Sequence, residues 1–290
     1  MATKEKRMNK IITCIDGSSV SDEVCAAACW SAKQLNKPIL LLHAIEKGHS
    51  TTTEDLSGAI GLGARSSLLN EMAALDEQRS KVALSLGKEI LAHSKAFLID
   101  NGCHDIEKTQ RHSGIVEAIC DLENDARLIV IGKSGQQHNG DFKALGSHIE
   151  QIIRQVHTPI LIANRSFKAP KSFMLAYDGR ETADKAVQRI IDGGLLHGLT
   201  CHLVTVKNSA PNFEEKFKRT KDLLTNKGFE VKASLLEGQI FDALMNYKEN
   251  SGVDMLVMGA FSHSKLASVF LGSNTLKMIE QTALPMIVLR

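Results

Sequence analysis

The feature that most restricts this chain is that it repeats itself. Lys10-Ile-Ile-Thr-Cys-Ile-Asp16-Gly17 returns 162 positions later as Ser172-Phe-Met-Leu-Ala-Tyr-Asp178-Gly179. Further on, Ala126-Arg-Leu-Ile-Val-Ile-Gly132 returns as Val253-Asp-Met-Leu-Val-Met-Gly259, now at an offset of 127. Each half closes alike, with Gly146-Ser147 or Gly272-Ser273, a helical pattern, and a Pro followed by an apolar run (Ile160–Ile162, Met286–Leu289). Ordered anchors of this kind mark a duplicated structural unit, and 290 residues suit two units of about 150.

Within each half, short apolar runs alternate with helical patterns. The runs predict strands at 11–15, 39–44, 105–110, 128–131 and 160–162, then at 173–177, 201–206, 230–235, 255–258 and 286–289. Near-continuous apolar strands separated by helices belong to a parallel sheet covered on both faces. The fold class is therefore α/β, two tandem domains over 1–165 and 170–290, joined by a polar, basic link containing Pro170. The fall in offset locates an insertion beginning about residue 46 and running to about 80. The first half spends 46–102 (57 residues) where the second spends 208–228 (21), an excess of 36. Leu68, Leu69, Met72, Leu75, Val82, Leu84, Leu86, Ile90 and Leu91 recur at three- and four-residue steps, which predicts one long or once-bent helix over 66–99.

In a doubly wound sheet, ligands bind beyond the carboxyl ends of the strands where the winding reverses. With the order 3-2-1-4-5 that point lies between strands one and four, so Asp16 stands beside Gly132 and Asp178 beside Gly259. The loops that follow read Gly132-Lys-Ser-Gly135, ten residues, Gly146-Ser147, and Gly259-Ala-Phe-Ser262, nine residues, Gly272-Ser273. Glycines let backbone N–H groups approach phosphate oxygens, and a Ser at a helix start adds a hydroxyl to the positive end of the helix. Glycine also ends strands and serine also caps helices where no ligand binds, so the loops alone leave both readings open. Gly132-Lys-Ser is not a Walker loop, because position 127 is Arg and Gly132 ends a strand.

Composition narrows the function classes. Thirty-five basic against 33 acidic residues leave no electrostatic footprint for nucleic acid, and two Tyr and one Trp offer little base stacking. The basic N-terminus leads into too short an apolar run for a secretory signal, and no run approaches a membrane span. Cysteines at 14, 25, 29, 103, 120 and 201 show no Cys-x-x-Cys pair. Cys25 and Cys29 lie one helical turn apart, a spacing better explained by packing than by a metal or redox pair. The expectation is a reduced, cytoplasmic chain with no nucleic-acid or membrane partner.

Asp16-Gly-Ser-x-x-Ser21 after the first strand, Leu128-Ile-Val-Ile-Gly132 as the fourth, and Gly146-Ser147 before a Pro-Ile-Leu-Ile strand resemble the universal stress protein family across both halves. The resemblance implies Rossmann-like, adenine nucleotide α-hydrolase-like domains. It also implies an adenine nucleotide as ligand (ATP, AMP or ADP, with or without Mg2+), the first-strand Asp contacting adenine. Carried over, one site is Asp16, Gly132, Gly135, Gly146 and Ser147; the other is Asp178, Gly259, Ser262, Gly272 and Ser273. The first loop has one residue more than the family's Gly-x2-Gly-x9-Gly-Ser/Thr pattern, and the second carries Ser262 where that pattern has glycine. The family also pairs domains through the last strand, which implies an intramolecular pseudo-dimer, with a homodimer as a further option.

Three functions follow as expectations. The first is a stress or regulatory protein that binds an adenine nucleotide without fast catalysis, at most a slow ATPase. The second is a scaffold whose pockets hold another ligand or none. The third is an ATP-using enzyme of similar fold, which the Asp16-Gly-Ser-Ser-Val-Ser21 turn does not favour, since such enzymes hold pyrophosphate on a Ser-Gly-Gly-type loop there. The insertion leaves the second strand at the pocket edge, so Gly58–Gly63 and the helix after it form either a lid or partner surface over the first pocket or the domain junction, or an outer decoration.

Overall fold

The computed structural model describes residues 10–46, 62–133, 147–207, 212–259 and 273–290. The first half runs β1 (Lys10–Cys14), α1 (Ser21–Leu35), β2 (Ile39–Ala44), α2 (Leu62–Asp100), β3 (Ile106–Arg111), α3 (Ile115–Leu122), β4 (Ala126–Gly132), α4 (Ser147–Gln155) and β5 (Ile160–Ala163). The second runs β6 (Ser172–Ala176), α5 (Glu181–Gly193), β7 (Thr200–Val206), α6 (Phe213–Asn226), β8 (Val231–Leu236), α7 (Ile240–Ser251), β9 (Met255–Gly259), α8 (Ser273–Gln281) and β10 (Met286–Leu289). No described helix is long and apolar enough to cross a membrane.

All described strands join one sheet in the order β3-β2-β1-β4-β5-β10-β9-β6-β7-β8. Pairings within each half are parallel; β5 and β10 meet antiparallel, with Leu161 opposite Ile287 at the centre. The two closing strands are too short and too apolar to stand as edges, and pairing them satisfies both rows of backbone groups inside one chain. The outer edges fall instead to β3 and β8. On β3, Glu107, Lys108 and Arg111 put charge at the edge, which discourages further strand addition.

Alternating side chains send one apolar set to each face. Ile11, Leu41, Leu128, Leu161, Leu175 and Ile287 meet α1, α2, α5 and α6 on one side. Ile12, Leu42, Ile129, Ile160, Met174 and Val288 meet α3, α4, α7 and α8 on the other. Both cores run without a break across the β5–β10 seam. Each buried Ile, Leu or Val there contributes roughly 1.5–3 kcal/mol.

Local sequence ends the helices. Asn36 (φ 50°) stops α1 in a left-handed turn with its N–H on the Ala32 carbonyl, and Gly194 (φ 77°) takes the left-handed conformation after α5. The insertion helix is continuous through α2. Its last third packs on the sheet through Leu91 and Leu98, while Leu75 and Val82 on its outer turns face solvent.

The cysteine reading needs correction. Cys29 on α1 is disulfide-bonded to Cys103, just beyond α2, with Cα atoms 6.0 Å apart, so the cysteines are not all free. Cys25 and Cys29 do not act together: Cys25 is a free, buried thiol. The 74-residue separation of the bonded pair left no spacing signal, because only the packing of α2 back against α1 brings them together.

Candidate functional site

The tips of strands one and four are neighbours in both halves. β1 lies beside β4 with Ile11 opposite Leu128, and β6 beside β9 with Phe173 opposite Met255. At the first tip, Asp16 accepts the backbone N–H of Ser18 at 2.9 Å and Gly17 sits at φ 75°. At the second, Asp178 accepts the N–H of Arg180 at 3.1 Å and Gly179 also sits at φ 75°. An aspartate that bonds the backbone two residues on makes a self-supporting turn, and the positive φ demands glycine at the next position. The repeated Asp-Gly is thus a repeated turn, one at the tip of each first strand.

In the first half that crevice is a cavity of about 330 Å3. Asp16 and Ser18 line it from the β1 side, Gly132 and Lys133 from the β4 side, and Ile131, Ile149 and Ile152 supply apolar wall. His43, at the end of β2, is buried, and its Nδ1 lies 2.8 Å from the Ile15 carbonyl oxygen. A carbonyl only accepts, so Nδ1 carries a proton and donates it to Ile15, which fixes the plane of the ring. His148, in the first turn of α4, stands 3.5 Å from Glu46 on the opposite wall. Ala83, Leu86 and Ile90 of α2 complete the enclosure.

Helix α2 reaches that position because of Gly87. A Cβ at Gly87 would overlap the Gln110 amide and stand 2.6 Å from Cδ2 of His43. The glycine lets the helix lie directly on the ends of β2 and β3. Ala83, Leu86 and Ile90 cover the cavity from beyond the inserted residues, whereas Gly58 and Gly61 of the expected lid lie outside the described residues.

Burial, reinforced by the Asp16 charge, pushes the Cys14 thiol up to about 12, so it stays protonated and is no nucleophile near neutrality. Lys133 has its pKa lowered by burial, partly offset by Glu280. Its Nζ donates to the carbonyls of Glu280 (2.9 Å) and Thr282 (2.6 Å) in the other half. Among the described residues no group of three or more His, Cys, Asp or Glu is placed to hold a metal ion.

The second crevice is furnished differently. The ring of Phe213, buried at the start of α6, would lie 3.3 Å from a Cβ at Gly179, and Lys216 donates to the Gly179 carbonyl at 3.1 Å. Tyr177 donates to Asp184 at 2.7 Å behind the turn. Gly259 ends β9 close to the Thr182 carbonyl, 3.9 Å from where its Cβ would stand. An aromatic ring therefore rests on the Asp178 turn.

The structure brings Asp16 and Gly132 to one cavity and places Asp178 and Gly259 at the matching tips. Ser147 and Ser273 are the first residues of α4 and α8. Gly135, Gly146, Ser262 and Gly272 lie outside the described residues. His43, Glu46, Gly87, Lys133 and His148 were not singled out from sequence. Only His43 carried a usable signal, as a polar residue at the carboxyl end of an otherwise apolar strand.

Comparison with known proteins agrees with this architecture. The family described as "Universal stress protein family" matches residues 8–164 and 209–290. Universal stress protein Slr1230 of Synechocystis sp. is 29% identical over 287 residues, covering 98% of this chain and 100% of its own length. Among solved structures, a universal stress protein from Archaeoglobus fulgidus superposes with a TM-score of 0.72 at 16% identity, over 97% of this chain and 98% of the other. A protein described as a putative universal stress protein from Pseudomonas aeruginosa gives a TM-score of 0.63 at 14% identity, over 97% and 93%.

Proposed function

The chain belongs to the universal stress protein family, and on that premise we propose that its first half binds an adenine nucleotide in a regulatory role without fast turnover. The observation that carries this reading is the 330 Å3 cavity bounded by the Asp16 carboxylate on one side and the Gly132 strand end on the other. Its volume lies at the lower end of small-ligand pockets, enough for a base and a ribose. The apolar walls of Ile15, Ile131 and Leu86 suit the faces of a purine, and Asp16 is an acceptor for its exocyclic amine. The phosphates would run toward the start of α4, because the first N–H groups of a helix and its dipole favour an anion. Mg2+ enters only as the companion of a bound triphosphate. Phe213 over the Asp178 turn favours the first half over the second.

Two measurements test this. Mass spectrometry of the purified, denatured protein should release ATP, ADP or AMP. Calorimetric titration with ATP and AMP should show Asp16→Ala weakening binding about 10- to 100-fold, the equivalent of one charge-assisted hydrogen bond of about 1.5–3 kcal/mol, while Asp178→Ala changes it little. No nucleotide in either experiment, or equal losses from both variants, would overturn the assignment in favour of a scaffold that acts through protein contacts or another ligand.

A further inference from the structure

On the face of the sheet carrying α1 and α5, at the junction of the two halves, lies a second cavity of about 600 Å3, larger than the nucleotide candidate. Leu128 of β4 and Ile287 and Leu289 of β10 line it, with Leu35 from the end of α1 and Leu196 from the turn after α5. Its charged lining is mainly cationic. Arg127, Lys185, Arg189 and Arg290 line it, against the single carboxylate side chain of Asp192.

The arginines are held in place across the junction. Arg127 of the first half donates to the Gly193 carbonyl at 2.7 Å, and Arg189 of the second donates to the His157 carbonyl at 3.1 Å. Arg290 donates to the carbonyls of Arg154 and Val156. Lys185 is paired with Glu181, outside the cavity, at 2.7 Å. A guanidinium has five N–H donors in a fixed plane, and the bonds of Arg127 and Arg189 use one donor each. Backbone carbonyls orient these groups without neutralising them. Close packing would otherwise fill an apolar seam, yet here an apolar hollow is kept open beside oriented positive charge.

We propose that this junction cavity is a binding site for an amphipathic organic anion, an apolar body bearing one sulfonate, carboxylate or phosphate group. The body lies against Leu128, Ile287 and Leu289, and the anionic group meets Arg127 and Arg189. Both halves contribute walls and charges, so the site exists only in the tandem chain. It is separate from the nucleotide cavity and does not depend on that reading.

The test uses the whole chain with 1-anilinonaphthalene-8-sulfonate, and with N-phenyl-1-naphthylamine as its uncharged counterpart. Fluorescence titration should give one saturable site for the sulfonate, at least tenfold tighter than for the amine. Gln188→Trp, at an exposed position on the cavity wall, should weaken sulfonate binding at least tenfold by filling the space. Arg189→Gln, also exposed, should weaken it similarly, with Arg189→Lys recovering part of the loss. Leu86→Trp, which obstructs the other cavity, should leave it unchanged. Equal affinity for the two probes, persistence of sulfonate binding in Gln188→Trp, or its loss in Leu86→Trp would each overturn the proposal.

Discussion

Lys133, the residue that follows the last glycine of β4, donates from Nζ to the carbonyl of Thr282 at 2.6 Å, across the seam and 149 positions along the chain. With its second bond, to Glu280, it caps the end of α8; Asn164 adds a bond to the Ala283 carbonyl. The opposite helix end receives the same treatment, since Arg290 donates to the carbonyls of Arg154, in the last turn of α4, and of Val156 just after it. The last carbonyls of a helix have no partners within it and carry the negative end of its dipole, so cations are favoured there. Each half therefore caps the closing helix of the other.

Lys133→Met should remove both bonds and leave two carbonyls without their cation. A loss of about 2–3 kcal/mol is expected from charge-assisted hydrogen bonds at a partly buried site. Thermal melts would read the loss. Hydrogen exchange should rise chiefly over 278–284, in the half that was not mutated; a change confined to the first half would contradict the cross-seam cap.

Gly87→Ala sets two effects against each other. Helix propensity favours alanine by about 1 kcal/mol, but the new methyl would stand 2.6 Å from the His43 ring, which the Ile15 carbonyl holds in place. Overpacking of this kind costs about 1–3 kcal/mol, so packing should win, lowering the melting temperature and weakening the nucleotide binding proposed for the first cavity. A raised melting temperature would show that α2 does not lie this close.

Reduction of Cys29–Cys103 opens a 74-residue loop. The chain-entropy model assigns such a crosslink about 4 kcal/mol, with measured disulfides commonly at 2–4. The urea midpoint should fall by a matching amount under dithiothreitol. Alkylation of the denatured, unreduced protein should label Cys14, Cys25, Cys120 and Cys201 and no others; six labelled sites would contradict the bond.

His202, on β7, has its pKa lowered from the ordinary 6.5, first by burial and then by Lys232. A histidine that prefers to be neutral in the fold binds protons more readily once unfolded. Its contribution to stability is therefore complete above about 6.5 and is lost as pH falls toward the lower, folded value. Its Nδ1 lies 3.0 Å from the Tyr247 hydroxyl, which also accepts from Ser234. Stability measured from pH 7.5 to pH 5 should fall less steeply in His202→Asn than in the parent chain; equal slopes would show that His202 is not a source of the dependence.

The sequence by itself determined the duplication, the α/β alternation and the two Asp-Gly turns. These are local properties: strand and helix periods repeat over a few residues, and an Asx turn with its glycine spans three. Asp16 and Gly132 were therefore legible as neighbours at one cavity once the strands were counted. Tertiary structure alone decided that β5 and β10 close on each other, that Cys29 finds Cys103, and that α2 covers the first crevice while Phe213 rests on the second turn. It also placed Lys133, Arg127 and Arg189 against carbonyls of the opposite half. Those outcomes join residues from about 30 to 150 positions apart. They depend on side-chain shape and on two cores packing at once, which no short window of sequence records.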